Sequence, residues 1–292
     1  MKNKGLIITL ISIITLLIIS LIILMCVIIK NKSSFSFNFG FSSEIINELQ
    51  IDKQYEETFK EINIETNASK IEIKKSEDNT IRLKTYSKEG YSKAEVNNDI
   101  LTIEVENEQC KFICMNVKIS KVELYIPENY ENKINIDNKY GDVEIAKFEN
   151  LNVDIEESAG DIKIDSVNTA DIDNKYGDVE IKNINKGTIT ASAGNIEIDN
   201  ANNLKIENKY GNIEIDNANE YVDINAKCGN IKIKNLNITA DSYINNDYGD
   251  IEIKNTNAYV DAKTKLGDSK INNNQSDITL KITNNCGDIE VN

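Results

Sequence analysis

Six aspartates occupy one repeated place in this chain: Asp142, Asp161, Asp178, Asp250, Asp268 and Asp288 each follow a glycine. Asn195, Asn212 and Asn230 fill the same place in three further copies. Carboxylates stacked about 5 Å apart repel one another, and a hard divalent cation would relieve that repulsion. Calcium binding is therefore one chemistry this column could support. Calcium-binding β-rolls, however, are built on a glycine-rich nonapeptide, whereas each copy here has a single glycine. Lys139, Lys175, Lys209, Lys227 and Lys265 lie three residues earlier and offer neutralisation without metal. The aspartates read first as corner residues with no cofactor, and calcium stands as the alternative.

Other chemistry is sparse. The chain has no His and no Trp, and Arg82 is its only arginine. General acid–base work would fall to Asp, Glu, Lys or Tyr. The sequence contains no Ser/His/Asp set and no phosphate-binding glycine loop. Some carbohydrate-active enzymes are β-helices, but their sites interrupt the repeat with long inserts, and none is present here. The expectation is a protein that is not an enzyme, with no catalytic residues. Tyr140, Tyr176, Tyr210 and Tyr248 precede glycines in alternate copies. They could stack on sugars, yet their alternation with Ala159, Ala193, Cys228 and Leu266 reads as large-over-small core packing. Cys110 and Cys114 would be about 13 Å apart on a straight strand, too far to bond without a turn. The cysteines read as small buried hydrophobes.

The elements that position these residues follow from a repeat. The glycines are Gly141, Gly160, Gly177, Gly194, Gly211, Gly229, Gly249, Gly267 and Gly287, recurring about every 18 residues. Two and four residues after each glycine stand aliphatic residues, such as Ile196 and Ile198, with a charged residue between. Only the Gly267 copy departs, with Ser269 before Ile271. Alternation of this kind is the signature of a strand. Six residues after glycine, Asn183, Asn200, Asn217, Asn235, Asn255 and Asn273 mark a second corner. A coil of strand, Asn corner, strand and Gly corner has too little apolar surface to fold alone, and stacking on its neighbours supplies the missing burial. The fold class expected is all-β: a single-stranded parallel β-solenoid of about nine short coils, roughly 43 Å long at about 4.8 Å per coil. An irregular β entry section precedes it, with alternating segments at INIETNASKIEIKK, TIRLKTY, ILTIEVE and KVELYIP. The preceding stretch SSEIINEL reads as the start of a short helix.

Residues 5–29 form a 25-residue stretch without a charge, longer than a hydrocarbon core requires. The expected organisation is a short tail at 1–4, a transmembrane helix at 5–29, a juxtamembrane linker at 30–56 and a β-solenoid domain at 57–292. Within that domain, 57–130 is the entry section and 131–292 the regular repeats. A single-pass cell-membrane protein with an extracellular C-terminal domain is the expected location. Formal net charge is −15, and such a surface repels phosphate backbones, so nucleic acid is not an expected partner. Cationic peptides, a protein or a cell-envelope ligand are the partners left open. The last coil ends at NNCGDIEVN with nothing beyond to cover it, which points to a homo-oligomer docking through an open C-terminal coil.

The entry segment INIETNASKIEIKK, the joint KVELYIPENYENKINI and the recurring G-[DN]-[VI]-E-I together resemble the putative adhesin family, bacterial β-strand-repeat proteins often anchored in the membranes of Gram-positive bacteria. The resemblance covers roughly residues 57–292. It implies a cell-surface solenoid acting as a structural or interaction module in adhesion, envelope sensing or scaffolding, and it transfers no functional residue.

Overall fold

The computed structural model describes residues 44–107 and 118–292. The expected anchor at 5–29, most of the linker, and Cys110 and Cys114 lie outside the described residues. Every element described is a strand. From Lys133 onward the chain winds as a parallel β-solenoid in which each coil pairs in register with the next. Val143, Ile162, Val179, Ile196, Ile213, Ile231 and Ile251 form one buried file. Ile136, Ile155, Ile172, Ile189, Ile206, Ile224 and Ile244 form another. These two aliphatic files face each other's strands as a continuous core, so each coil is stabilised by burial against the coils above and below. Coil length varies with only a local shift of register. The 18-residue step from Gly211 to Gly229 takes up one extra residue at Glu220, which adopts a left-handed φ of 63°.

The Asn corner does not interrupt pairing. Strands Ile162–Tyr176, Val179–Ala193 and Ile196–Tyr210 each run unbroken through it. Outside the corner the amides form a ladder: Asn200 donates to Asn183 at 3.0 Å, Asn217 to Asn200 at 2.9 Å, Asn235 to Asn217 at 2.9 Å and Asn255 to Asn235 at 3.0 Å. Identical amides in register satisfy one another along the stack.

Both ends of the solenoid depart from sequence order. At the C-terminal end, strand Ser242–Tyr248 pairs with Thr279–Cys286, and Thr279–Cys286 pairs in turn with Tyr259–Leu266. Ile251 and Ile253 likewise pair with Ile289 and Val291, which pair with Ser269 and Ile271. The last segment of the chain is therefore inserted one coil inside the end, and the Gly267 coil is outermost. This corrects the expectation of an open C-terminal coil. Ile289 and Val291 are buried, whereas Ser269 is exposed. The copy that breaks the aliphatic pattern is the one with a coil on one side only, where a polar residue meets water instead of a neighbour.

The same interleaving occurs at the other end. Glu61–Thr66 lies between Ile100–Val105 and Lys133–Tyr140, and Ser69–Lys75 between Lys118–Ile126 and Val143–Lys147. Antiparallel strands then finish this end: Ser92–Asn97 against Ile100–Val105, Ile81–Tyr86 against Lys118–Ile126, and Leu49–Tyr55 against Ile81–Tyr86. The helix expected at SSEIINEL is absent. Glu44–Ile45 and Leu49–Tyr55 are strands, because pairing with residues distant in sequence outweighs a local capping signal.

Candidate functional site

The glycine corners carry the densest recurring chemistry. In stacking order they are Gly141, Gly160, Gly177, Gly194, Gly211, Gly229, Gly249, Gly287 and Gly267. At Gly177, φ is +135° and a Cβ would collide with the carbonyl oxygen of Gly160, so only glycine fits. The stacked glycine carbonyls point where a side chain three residues earlier can reach them. Asn174 donates to Gly160 O at 3.2 Å and to Gly177 O at 3.1 Å. Asn208 donates to Gly194 O at 3.3 Å and Gly211 O at 3.1 Å. Asn138 donates to Ser69 O and Gly141 O at 3.0 and 2.9 Å. One amide has two N–H donors and so bridges two adjacent coils. From Asn138 to Asn208 an asparagine is needed only in every second coil, the interval at which NKYG recurs, whereas Asn246 and Asn284 stand in adjoining coils and serve Gly229 O and Gly249 O singly, at 2.9 and 2.8 Å. The coils between place Glu157, Ala191 and Ala226 in the same column.

The six candidate metal residues lie in the neighbouring exposed column with Asn195, Asn212 and Asn230. All but Asp268, which lies in the outermost coil, accept a backbone N–H from the following coil through Oδ1: Asp161 N to Asp142 at 3.1 Å, Asp178 N to Asp161 at 2.9 Å, Asn195 N to Asp178 at 2.7 Å and Asp250 N to Asn230 at 2.9 Å. Asp288 N donates to Asp250 at 2.9 Å and Asp268 N to Asp288 at 2.8 Å, in the interleaved order. Asp and Asn alternate freely here because both supply that acceptor oxygen. Among the described residues no group of three or more His, Cys, Asp or Glu is arranged to hold a metal ion.

The tyrosines are not core residues. Tyr140, Tyr176, Tyr210 and Tyr248 are 59 to 64% exposed. The strand alternation that buries Asn174 stops at the corner, so Lys175 and Tyr176 both face outward. Between the tyrosines sit Ala159, Ala193 and Cys228; beyond Tyr248 come Cys286 and then Leu266, 68% exposed. A large exposed side chain therefore stands in every second coil from Tyr140 to Leu266, a regularity visible only once the interleaved order is known. Lys139, Lys175, Lys209 and Lys265 accompany it, all exposed.

Two further ionic features were not singled out by sequence. On the entry sheet, the buried carboxylates Glu72 and Glu123 share two lysines and Glu72 has a third: Lys121 reaches Glu72 at 3.1 Å and Glu123 at 2.8 Å, Lys74 pairs with both, and Lys70 reaches Glu72 at 3.3 Å. Burial alone would raise the Glu123 carboxyl, but hydrogen bonds and charge from Lys121 and Lys74 win and hold it down at about 2. Each sits in an ordinary alternating strand, and only the long-range pairing of Ser69–Lys75 with Lys118–Ile126 brings the five charges together. The second feature is Glu157, 2% exposed in the asparagine column, whose carboxyl burial pushes up to about 8. Its Oε2 and the Oδ1 of Asn174 in the adjoining coil are both buried without a hydrogen-bond partner. Burial outweighs the Ala159 N–H that donates to Glu157 Oε1 at 3.0 Å.

The Toastrack DUF4097 family model matches residues 59–200 and 184–292. This chain belongs to that family. Among curated proteins, none matches the chain in sequence. Several solved structures resemble it. One, described as a putative adhesin from Bacteroides fragilis, is 18% identical, with 84% of this chain and 98% of that chain covered and a TM-score of 0.41. A putative lipid binding protein from Parabacteroides distasonis is 13% identical, with 85% and 99% covered and a TM-score of 0.48. A putative adhesin from Parabacteroides merdae is 10% identical, with 85% and 98% covered and a TM-score of 0.41. The Toastrack match spans the stack of parallel coils and most of the entry strands that finish it.

Proposed function

We propose that this chain is a non-catalytic interaction module of the cell envelope, carried outward from the membrane by an anchor at residues 5–29. The observation that supports the reading is the constant geometry of the glycine corners along the stack. From Gly141 to Gly267 each corner repeats the same backbone bonds, at 2.8 to 3.0 Å, whatever outward side chain it carries. Such a fold keeps its exterior side chains at fixed intervals along a stiff stack, which suits display to a ligand. The column of aspartates serves the corner turns, and the reading requires no cofactor. Adding millimolar calcium then leaves the melting temperature unchanged, and a rise of several degrees would favour the calcium-binding alternative.

Labelling of intact cells tests the location. A membrane-impermeant amine reagent should modify the exposed Lys139, Lys175 and Lys209 without lysis. Modification of these lysines only after lysis would overturn the proposal.

A further inference from the structure

The exposed tyrosine file is not required by the fold. Ala159 O accepts the Gly141 N–H at 3.0 Å and Tyr176 O accepts the Gly160 N–H at 3.0 Å, so the corner closes identically with a small or a large residue before glycine. The rings do not fill the core, since more than half of each is exposed. Their spacing is set by the stack. Two strand spacings place successive rings about 9.6 Å apart, with the low Ala159, Ala193 and Cys228 positions as gaps between them. Beside the first three rings stand Lys139, Lys175 and Lys209; the coils between them carry Ser158 and Ser192, and the coil after Lys209 carries a further exposed lysine, Lys227. Asp247 replaces the lysine at Tyr248. The unit repeated every two coils is thus one aromatic platform with, over the first three, at least one cation.

A β-1,4-linked glycan chain has the matching period. Its sugars alternate in orientation, so every second ring presents the same apolar C–H face to one side, at an interval commensurate with two strand spacings. An aromatic ring stacks on that face. A lysine repeated at the same interval selects a chain with one acidic substituent per disaccharide.

We propose that Tyr140, Tyr176, Tyr210 and Tyr248, with Lys139, Lys175 and Lys209, form a platform for a β-1,4-linked glycan strand with one acidic branch per disaccharide, the chemistry of peptidoglycan, whose carboxylates lie on the stem peptide borne by every second sugar. This rests on the reading of the chain as an envelope interaction module and names the ligand of its repeated surface. The strand lies along the stack, one disaccharide to two coils.

Co-sedimentation of the full chain in detergent with purified peptidoglycan sacculi, stripped of secondary polymers, tests it. The assay is independent of membrane orientation, so its failure is distinct from a failure of surface labelling. Replacing the four tyrosines by alanine should cut sedimentation at least tenfold, with the melting temperature unchanged because the rings are exposed. Lys139→Gln, Lys175→Gln and Lys209→Gln together should weaken binding to sacculi and leave the weaker binding to chitin, an uncharged β-1,4-linked glycan, unaltered. Wild-type protein that stays in the supernatant, or tyrosine variants that sediment as wild type, would overturn the proposal. So would wild-type dimers in analytical ultracentrifugation that the tyrosine changes abolish, since the file would then be a contact between two copies of this chain.

Discussion

Asn208 and Asn200 are both asparagines at corners of the same coil, yet they do different physical work. Asn208 is buried and its two N–H groups serve the carbonyls of Gly194 and Gly211. Asn208→Ala should therefore cost about 2–4 kcal/mol, because buried acceptors lose their donors. Asn200 is exposed, and water replaces its partners, so Asn200→Ala should cost no more than about 1.5 kcal/mol. Urea unfolding of the two variants measures the contrast. Glu157 supplies a pH dependence. Its folded-state carboxyl, at about 8, lies above the ordinary 4.5. Its contribution to stability is then fully present below pH 4.5 and is lost as pH rises through 8. Wild-type stability should fall by a few kcal/mol between pH 5 and pH 9, and Glu157→Gln should remove most of that slope. A slope unchanged in the variant would show that the carboxyl is ionised in the fold. Period-two alternation was enough to put the aliphatic residues that follow each glycine on the inward side. It misplaced the tyrosines, because alternation fails at a corner and the sequence does not mark the residue at which it stops.

The elements were legible where burial follows a period. The strand segments beginning at Ile62, Ile81, Ile100 and Val122 were all apparent from alternation, as was every coil from Gly141 onward. The strand Ser92–Asn97 was not, since only one face of its pairing strand reaches the core and its own residues are largely exposed. Leu49–Tyr55 was concealed by a helix-like start whose capping signal stands beside no buried helical stripe. The inward isoleucines carry the energy of each coil. Ile198 is buried between Ile181 and Ile215. Ile198→Ala should cost about 2–5 kcal/mol through lost burial and the cavity left behind. Thermal unfolding followed by circular dichroism checks this, with Glu197→Ala on the outward face of the same strand expected to change stability by less than about 0.5 kcal/mol.

At the scale of the whole molecule, stacking order departs from chain order, and no single coil's sequence announces this. The one trace is the Gly267 copy, whose Ser269 suits a coil covered on one side. The arrangement shields the last aliphatic segment and leaves a polar coil at the edge, which limits edge-to-edge association. It also means that Ile289→Lys should unfold the end of the solenoid by burying a charge rather than dissociate an oligomer. The account rests most heavily on this interleaved stack, and a cross-link measures it directly. In a chain whose other cysteines are serine, Tyr248→Cys places a thiol in the coil adjoining Cys286. Oxidation should join residues 248 and 286, seen as one disulfide-linked peptide pair by mass spectrometry. If the coils stacked in chain order, residue 266 would separate the two, and the absence of that cross-link under conditions that join Leu266→Cys to Tyr248→Cys would contradict the account.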